Sequence, residues 1–196
     1  MGKKTGAAIK EARTAAELTQ EALAKKVDGL TAADIEHVNI KTFYKATQLS
    51  KIIPATVDEA QYNIAYPVAA AIVQGDFGWL QLQKQYFTDP DILAMMKRLS
   101  FEKDEEIDAK FPAHRICRAE ITTKDGRFFV SEDCEPRGEA YENIGNDWLA
   151  DKFRRITGPI FSAEGQEELL KLVLGEEDVP VRTIVETVNK KEYWKA

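Results

Sequence analysis

Apolar and polar positions alternate around Val38, Ile40 and Thr42, so the stretch EHVNIKTFY predicts a β-strand with those three side chains on one face. The rhythm changes to helical spacing in TDPDILAMMKRLS, where Pro90 suits a first turn and Ile92, Met96 and Leu99 share a face. Leu99 and Phe101 return to alternation and predict a second strand. That strand ends in KDEEID, read as a solvated charged loop over residues 102–108. Residues 115–123 alternate once more, and Asp125-Gly126 is a type I′ hairpin signal leading into a partner strand over residues 127–132. Pro136, Arg137 and Gly138 mark a turn, and Asn146 a helix cap. Leu149, Phe153 and Ile156 then fall at helical spacing over residues 147–156. Ser162 opens a last substantial helix that buries Leu169, Leu170 and Val173, and the tail from Glu176 to Ala196 has room for one more.

The segment TVDEAQYNIAYPVAAAIVQG, residues 56–75, breaks these rules in an informative way. Thr56 can cap a helix, and Glu59 three residues later completes a capping box. Pro67 then follows Tyr66 inside an apolar helical run, where it removes a backbone donor, so the helix must break or restart. A phenol beside such a break suits the wall of a pocket. Before all of this, residues 1–29 are rich in Ala, Lys and Glu. They predict two short helices, the second capped by Thr19 with Ala22, Leu23 and Val27 as its stripe. The order of elements predicts an α+β fold: a small antiparallel sheet of about four strands packed by helices, with an N-terminal helical appendage. Three parts follow: an appendage over residues 1–29, a main domain over 30–160, and C-terminal helices over 161–196.

Composition adds boundaries. A chain of 196 residues that is 44% hydrophobic and 31% charged can bury a core. A net charge of -6 argues against a general nucleic-acid binder and against an acidic membrane surface. Cys117 and Cys134 lack metal-type spacing and fit reduced thiols of a cytoplasmic protein. No 18-residue apolar run occurs, so no membrane span is expected.

Two resemblances overlap near the N-terminus. LTQEALAKKVDGLTAADI resembles a Cro/repressor-type helix-turn-helix, which implies a DNA-binding regulator using residues 1–35 as the alternative function. That resemblance stops at Ile35, and no Arg or Lys lies between Leu30 and Ile40 to reach base edges. The second resemblance continues. The block at residues 56–75 resembles the signature EA-x-[FY]-[ST]-x-x-Y-x-x-A-x-A-hydrophobic-x-x-G of the C-terminal domain of the MmgE/PrpD family. It is carried by Glu59, Ala60, Tyr62, Asn63, Tyr66, Ala69, Ala71 and Gly75, with Asn63 in place of the usual small hydroxyl residue. Gly29, Leu30, Thr31, Asp34, Ile35, Val38, Ile40 and Thr42 also fit that domain's opening, followed in order by KDG, PRG and DKFR.

This resemblance implies a lid domain, which in the family packs on a larger all-helical domain. It also implies cofactor-free lyase or isomerase chemistry on small di- or tricarboxylates, as in 2-methylcitrate dehydratase, cis-aconitate decarboxylase and an iminodisuccinate epimerase. Tyr66 is the position it marks as catalytic, facing the cleft as a proton donor. The family draws its remaining Asp, His and Lys groups mainly from the helical domain. His37 and His114, the two histidines here, match none of them and are expected at the surface or a strand edge. The implied partners are a separate helical-domain chain, a second copy of this chain, and a small carboxylate once that domain is supplied. Arg154 and Arg155 could hold a carboxylate but read as the solvated side of their helix.

Overall fold

The computed structural model describes residues 30–139, 141–142, 144–175 and 177–195. The helical appendage expected over residues 1–29 lies outside them. At the start of the described chain Asp34 closes a single turn, Ala32–Asp34, by accepting from the Thr31 amide at 2.9 Å and its hydroxyl at 2.6 Å. The chain then passes directly into β1 (Ile35–Thr42). Among the described residues no recognition helix follows Leu30, so the helix-turn-helix reading gains no support.

β1 is central. It pairs in parallel with β2 (Leu99–Lys103) and antiparallel with β3 (Cys117–Thr123), and β3 carries β4 (Phe128–Val130) at the far edge. The α+β class with four strands is as expected, but the sheet is mixed and not wholly antiparallel. The reason is the connection from β1 to β2. It holds α1 (Tyr44–Thr47), α2 (Val57–Gln61), α3 (Ala65–Gln74) and α4 (Pro90–Met96), long enough to return the chain in the same direction.

The alternation in β1 and β3 works as the sequence predicts. Val38, Ile40, Ala119 and Ile121 face a core shared with Ala69 and Ala70 of α3 and with Ile92 and Met95 of α4. The turn between β3 and β4 differs from the expected type I′, which needs positive φ at both central residues. Only Gly126 has it, at +84°, while its amide donates to the Thr123 carbonyl at 2.9 Å. That is a type I turn followed by a left-handed glycine, and it avoids strain at Asp125.

The acidic stretch read as a loop is largely helical, forming α5 (Glu105–Lys110). Asp104 caps it, accepting from Glu106 at 3.0 Å and Ile107 at 3.1 Å, and fully buried Ile107 anchors it. Glu105 and Glu106 sit in its first turn, where the helix dipole favours negative charge.

Two compact units divide the chain, the first ending at Pro136 and the second beginning at Arg137. The second contains α6 (Asn146–Thr157), α7 (Ala163–Leu174) and α8 (Val181–Val188). Asn146 is the first residue of α6 and not its cap, because Gly145 takes the extended cap conformation. Ser162 caps α7 by accepting from Gly165 at 3.1 Å. Leu169 is buried beside Phe161 and Tyr193, whereas Val173, expected inside, is 59% exposed. A Cβ on Gly165 would come within 2.5 Å of Phe161 and 2.6 Å of Tyr193, so the small core of this unit closes over a bare backbone.

Candidate functional site

The candidate site begins with α2 and α3. Thr56 caps α2, accepting from the Glu59 amide at 3.2 Å. The Glu59 carboxylate reaches past the cap to the Ala55 amide at 2.7 Å, one residue earlier than a capping box requires. α2 ends at Gln61 and α3 starts at Ala65, so the break falls before Pro67 and not at it. Pro67 occupies the first turn of the new helix, where its missing donor costs nothing.

Asn63 makes the restart possible. Fully buried, it accepts from the amides of Ala65 at 2.9 Å and Tyr66 at 2.8 Å, and donates to the Ile52 carbonyl at 2.6 Å. It therefore caps α3 as a small hydroxyl residue would, and also ties down the preceding loop. Gly75 ends α3 with φ at +75°, the left-handed conformation glycine adopts without cost.

Tyr66 has no exposed surface. Its hydroxyl donates to the Gln81 carbonyl at 2.5 Å, and its ring meets Phe77 and Phe87 edge-on, with centroids 6.2 and 5.5 Å away. Burial, with smaller contributions from Asp89 and Tyr86, holds the phenol well above its ordinary range. In this arrangement Tyr66 is a neutral donor, as an oxyanion-stabilising phenol must be, and its proton is engaged by a backbone carbonyl. The neighbouring Tyr62 differs: its hydroxyl is buried and has no hydrogen-bond partner among the described residues. The [FY] position of the signature gives no hint of that difference, which depends on packing.

The histidines are at the surface. His37 Nε2 lies 2.8 Å from Ser100 Oγ, and His114 Nδ1 lies 2.9 Å from Glu135. Arg154 forks onto Glu167 at 2.6 and 2.9 Å and also meets Asp151 at 3.1 Å, so it serves to join α6 to α7.

Sequence periodicity did not reveal the polar network on the other sheet face. Asn39 donates to Glu102 at 3.0 Å and Glu120 at 3.1 Å, Lys41 pairs with Glu120 at 2.6 Å, and Arg118 pairs with Asp133 at 2.6 Å. With Asp104 also near Arg118, at 3.8 Å, the acids there outnumber the bases, which suits an anionic ligand poorly. A better anion contact lies at the end of the first unit where β1 begins. Clefts that take small ligands measure about 300–1,000 Å³. The one here measures 450 Å³ and is lined by Arg98 and Lys124 along with Thr31, Val73, Asp91 and Met95. Arg98 spends one nitrogen on the Ile35 carbonyl at 2.9 Å. Arg98 and Lys124 bring two cations to this lining, against one carboxylate from Asp91. Among the described residues no group of three or more His, Cys, Asp or Glu could hold a metal ion, and no helix is long and apolar enough to cross a membrane.

Comparison of the sequence with known proteins points to a family. The model of the MmgE/PrpD C-terminal domain matches residues 7–177. The chain is also similar to human cis-aconitate decarboxylase, with 21% identity over 144 residues, which is 72% of this chain. It spans only 29% of that relative's length.

Proposed function

The chain belongs to the MmgE/PrpD family through its C-terminal domain, and on that premise we propose that it is the lid of a lyase or isomerase acting on small di- or tricarboxylates. The match over residues 7–177 carries this reading. The chemistry fits a lid better than a complete enzyme. Removing a carbon-bound proton and expelling a leaving group, or carbon dioxide, calls for a base, an acid and cations for the substrate's carboxylates. The described residues offer a neutral phenol at Tyr66 and cations at Arg98 and Lys124, while both histidines lie at the surface. In this reading a helical domain of the same family supplies the base and the acid. Tyr66 donates toward the developing oxyanion once that domain loosens its bond to Gln81, and Arg98 holds a carboxylate. A second copy of this chain completes the assembly, within the cytoplasm.

Mixing this protein with a helical-domain chain of the family tests the proposal. Dehydration, decarboxylation or isomerisation of a tricarboxylate is expected from the mixture and not from either component. Turnover by this chain alone would overturn the need for a partner. Absence of turnover in a mixture shown to associate would overturn the enzymatic reading.

A further inference from the structure

The two cysteines are far apart in sequence but directly opposite in space. Cys117 opens β3, and Cys134 returns beyond β4 to form an isolated antiparallel bridge with it. The Cys117 amide donates to the Cys134 carbonyl at 2.9 Å, and the Cys134 amide donates to the Cys117 carbonyl at 2.9 Å. Such a doubly bonded pair places its Cα atoms about 5.5 Å apart, within the range a disulfide spans. Opposed residues of an antiparallel pair project to the same face. That face is the core: Cys117 is buried, and Cys134 packs, partly buried, against the same cluster. Both are thiols in this structure.

From this juxtaposition we propose that Cys117 and Cys134 form a reversible dithiol–disulfide pair that locks the β3–β4 edge of the sheet. The oxidant is a low-molecular-weight disulfide of the glutathione class. Cys134 attacks first, because it retains solvent exposure whereas Cys117 has almost none. Its thiolate displaces one thiolate from the oxidant and forms a mixed disulfide. Cys117 then attacks Cys134 Sγ, its proton passes to the departing thiol, and the mixed bond breaks as the internal S–S bond forms. Two protein thiols lose two electrons, and one small disulfide becomes two thiols. Burial holds the Cys117 thiol above its ordinary range, with Cys134 and Asp133 adding to the effect, so the second step is the slower one.

The bond would close a loop containing the whole β3–β4 hairpin. It would join Cys117, next to the Ile116 carbonyl that accepts from Thr42 of β1 at 3.0 Å, to the last residues of the first unit. Cross-linking would thus add a covalent tie to a sheet edge now held by a short strand, one isolated bridge, the Ser131–Ala119 bonds and the Arg118–Asp133 pair.

The test uses the full chain, treated with oxidised glutathione, alkylated in denaturant and mapped by mass spectrometry. The expected product is a monomer lighter by two hydrogens, with a peptide joining Cys117 to Cys134 that dithiothreitol releases. Cys117→Ser should instead accumulate a stable glutathione adduct on Cys134, and Cys134→Ser should remain largely unmodified. Circular dichroism of both variants establishes that they fold. A wild-type chain that stops at the glutathione adduct, or that cross-links only between molecules, would overturn the proposal.

Discussion

The Tyr66 hydroxyl donates to the backbone carbonyl of Gln81 at 2.5 Å, joining the second residue of α3 to the loop that follows it. Four residues earlier, the Tyr62 hydroxyl is buried with no such partner among the described residues. Two phenols of one signature therefore carry opposite energetic signs.

Tyr66→Phe leaves the Gln81 carbonyl without its donor and should destabilise the first unit by about 1–3 kcal/mol. Tyr62→Phe removes an unpaired hydroxyl and should be neutral or stabilising. Urea unfolding of the two variants side by side checks the contrast, and equal losses would refute it.

Alkaline stability should follow from the same burial. The folded-state pKa of Tyr66 is raised above its ordinary 10.0, and that of Cys117 above its ordinary 9.0, in each case chiefly by burial. Each group's contribution is fully present below its unfolded value and is lost as pH rises above it, because the unfolded chain releases the proton first. Stability should fall from about pH 9 upward, a range set by the ordinary thiol and phenol values. Absorbance at the phenolate band should show late-ionising tyrosines, Tyr66 and Tyr193 both being raised, and Tyr66→Phe should remove one of them.

Asn63→Ala should cost about 1–3 kcal/mol, since it removes a cap and leaves buried backbone groups unpaired. Asn63→Ser should recover part of the loss, because a hydroxyl can still accept from the Tyr66 amide but cannot reach the Ile52 carbonyl. Thermal melts of the pair would separate capping from loop tethering.

In the second unit Gly165→Ala should destabilise by about 1–3 kcal/mol through overpacking, even though alanine favours a helix by about 1 kcal/mol over glycine. The contacts at 2.5 and 2.6 Å to Phe161 and Tyr193 decide the sign. A variant as stable as the wild type by calorimetry would show that those rings can move aside.

The acid limb of the second unit should depend on Glu168. Hydrogen bonds from Lys190, then Tyr193, hold its carboxyl below its ordinary 4.5. A lowered folded-state pKa gives stability that is present above the unfolded value and lost as pH falls through the folded one. Glu168→Gln should flatten stability below about pH 4.5, the ordinary range of a glutamate. Unfolding midpoints between neutral and acid pH would show it.

The sequence by itself determined the elements whose cause is local. Alternation at Val38 and Ile40 set the central strand, Pro90 set the start of α4, Ser162 set α7, and the motif order identified the family. Asp125-Gly126 announced a hairpin, but only the backbone decided its turn type, since one glycine can supply positive φ and its neighbour avoids it. The parallel pairing of β1 with β2 likewise came from how the helical crossover packs, which no local pattern encodes. The same holds for the site. Sequence singled out Tyr66, while the tertiary structure alone decided that its proton meets Gln81, that Arg98 and Lys124 share a cavity, and that Cys117 faces Cys134. Those relations join residues distant along the chain. They are fixed by burial and strand register, which exist only once the whole sheet has closed.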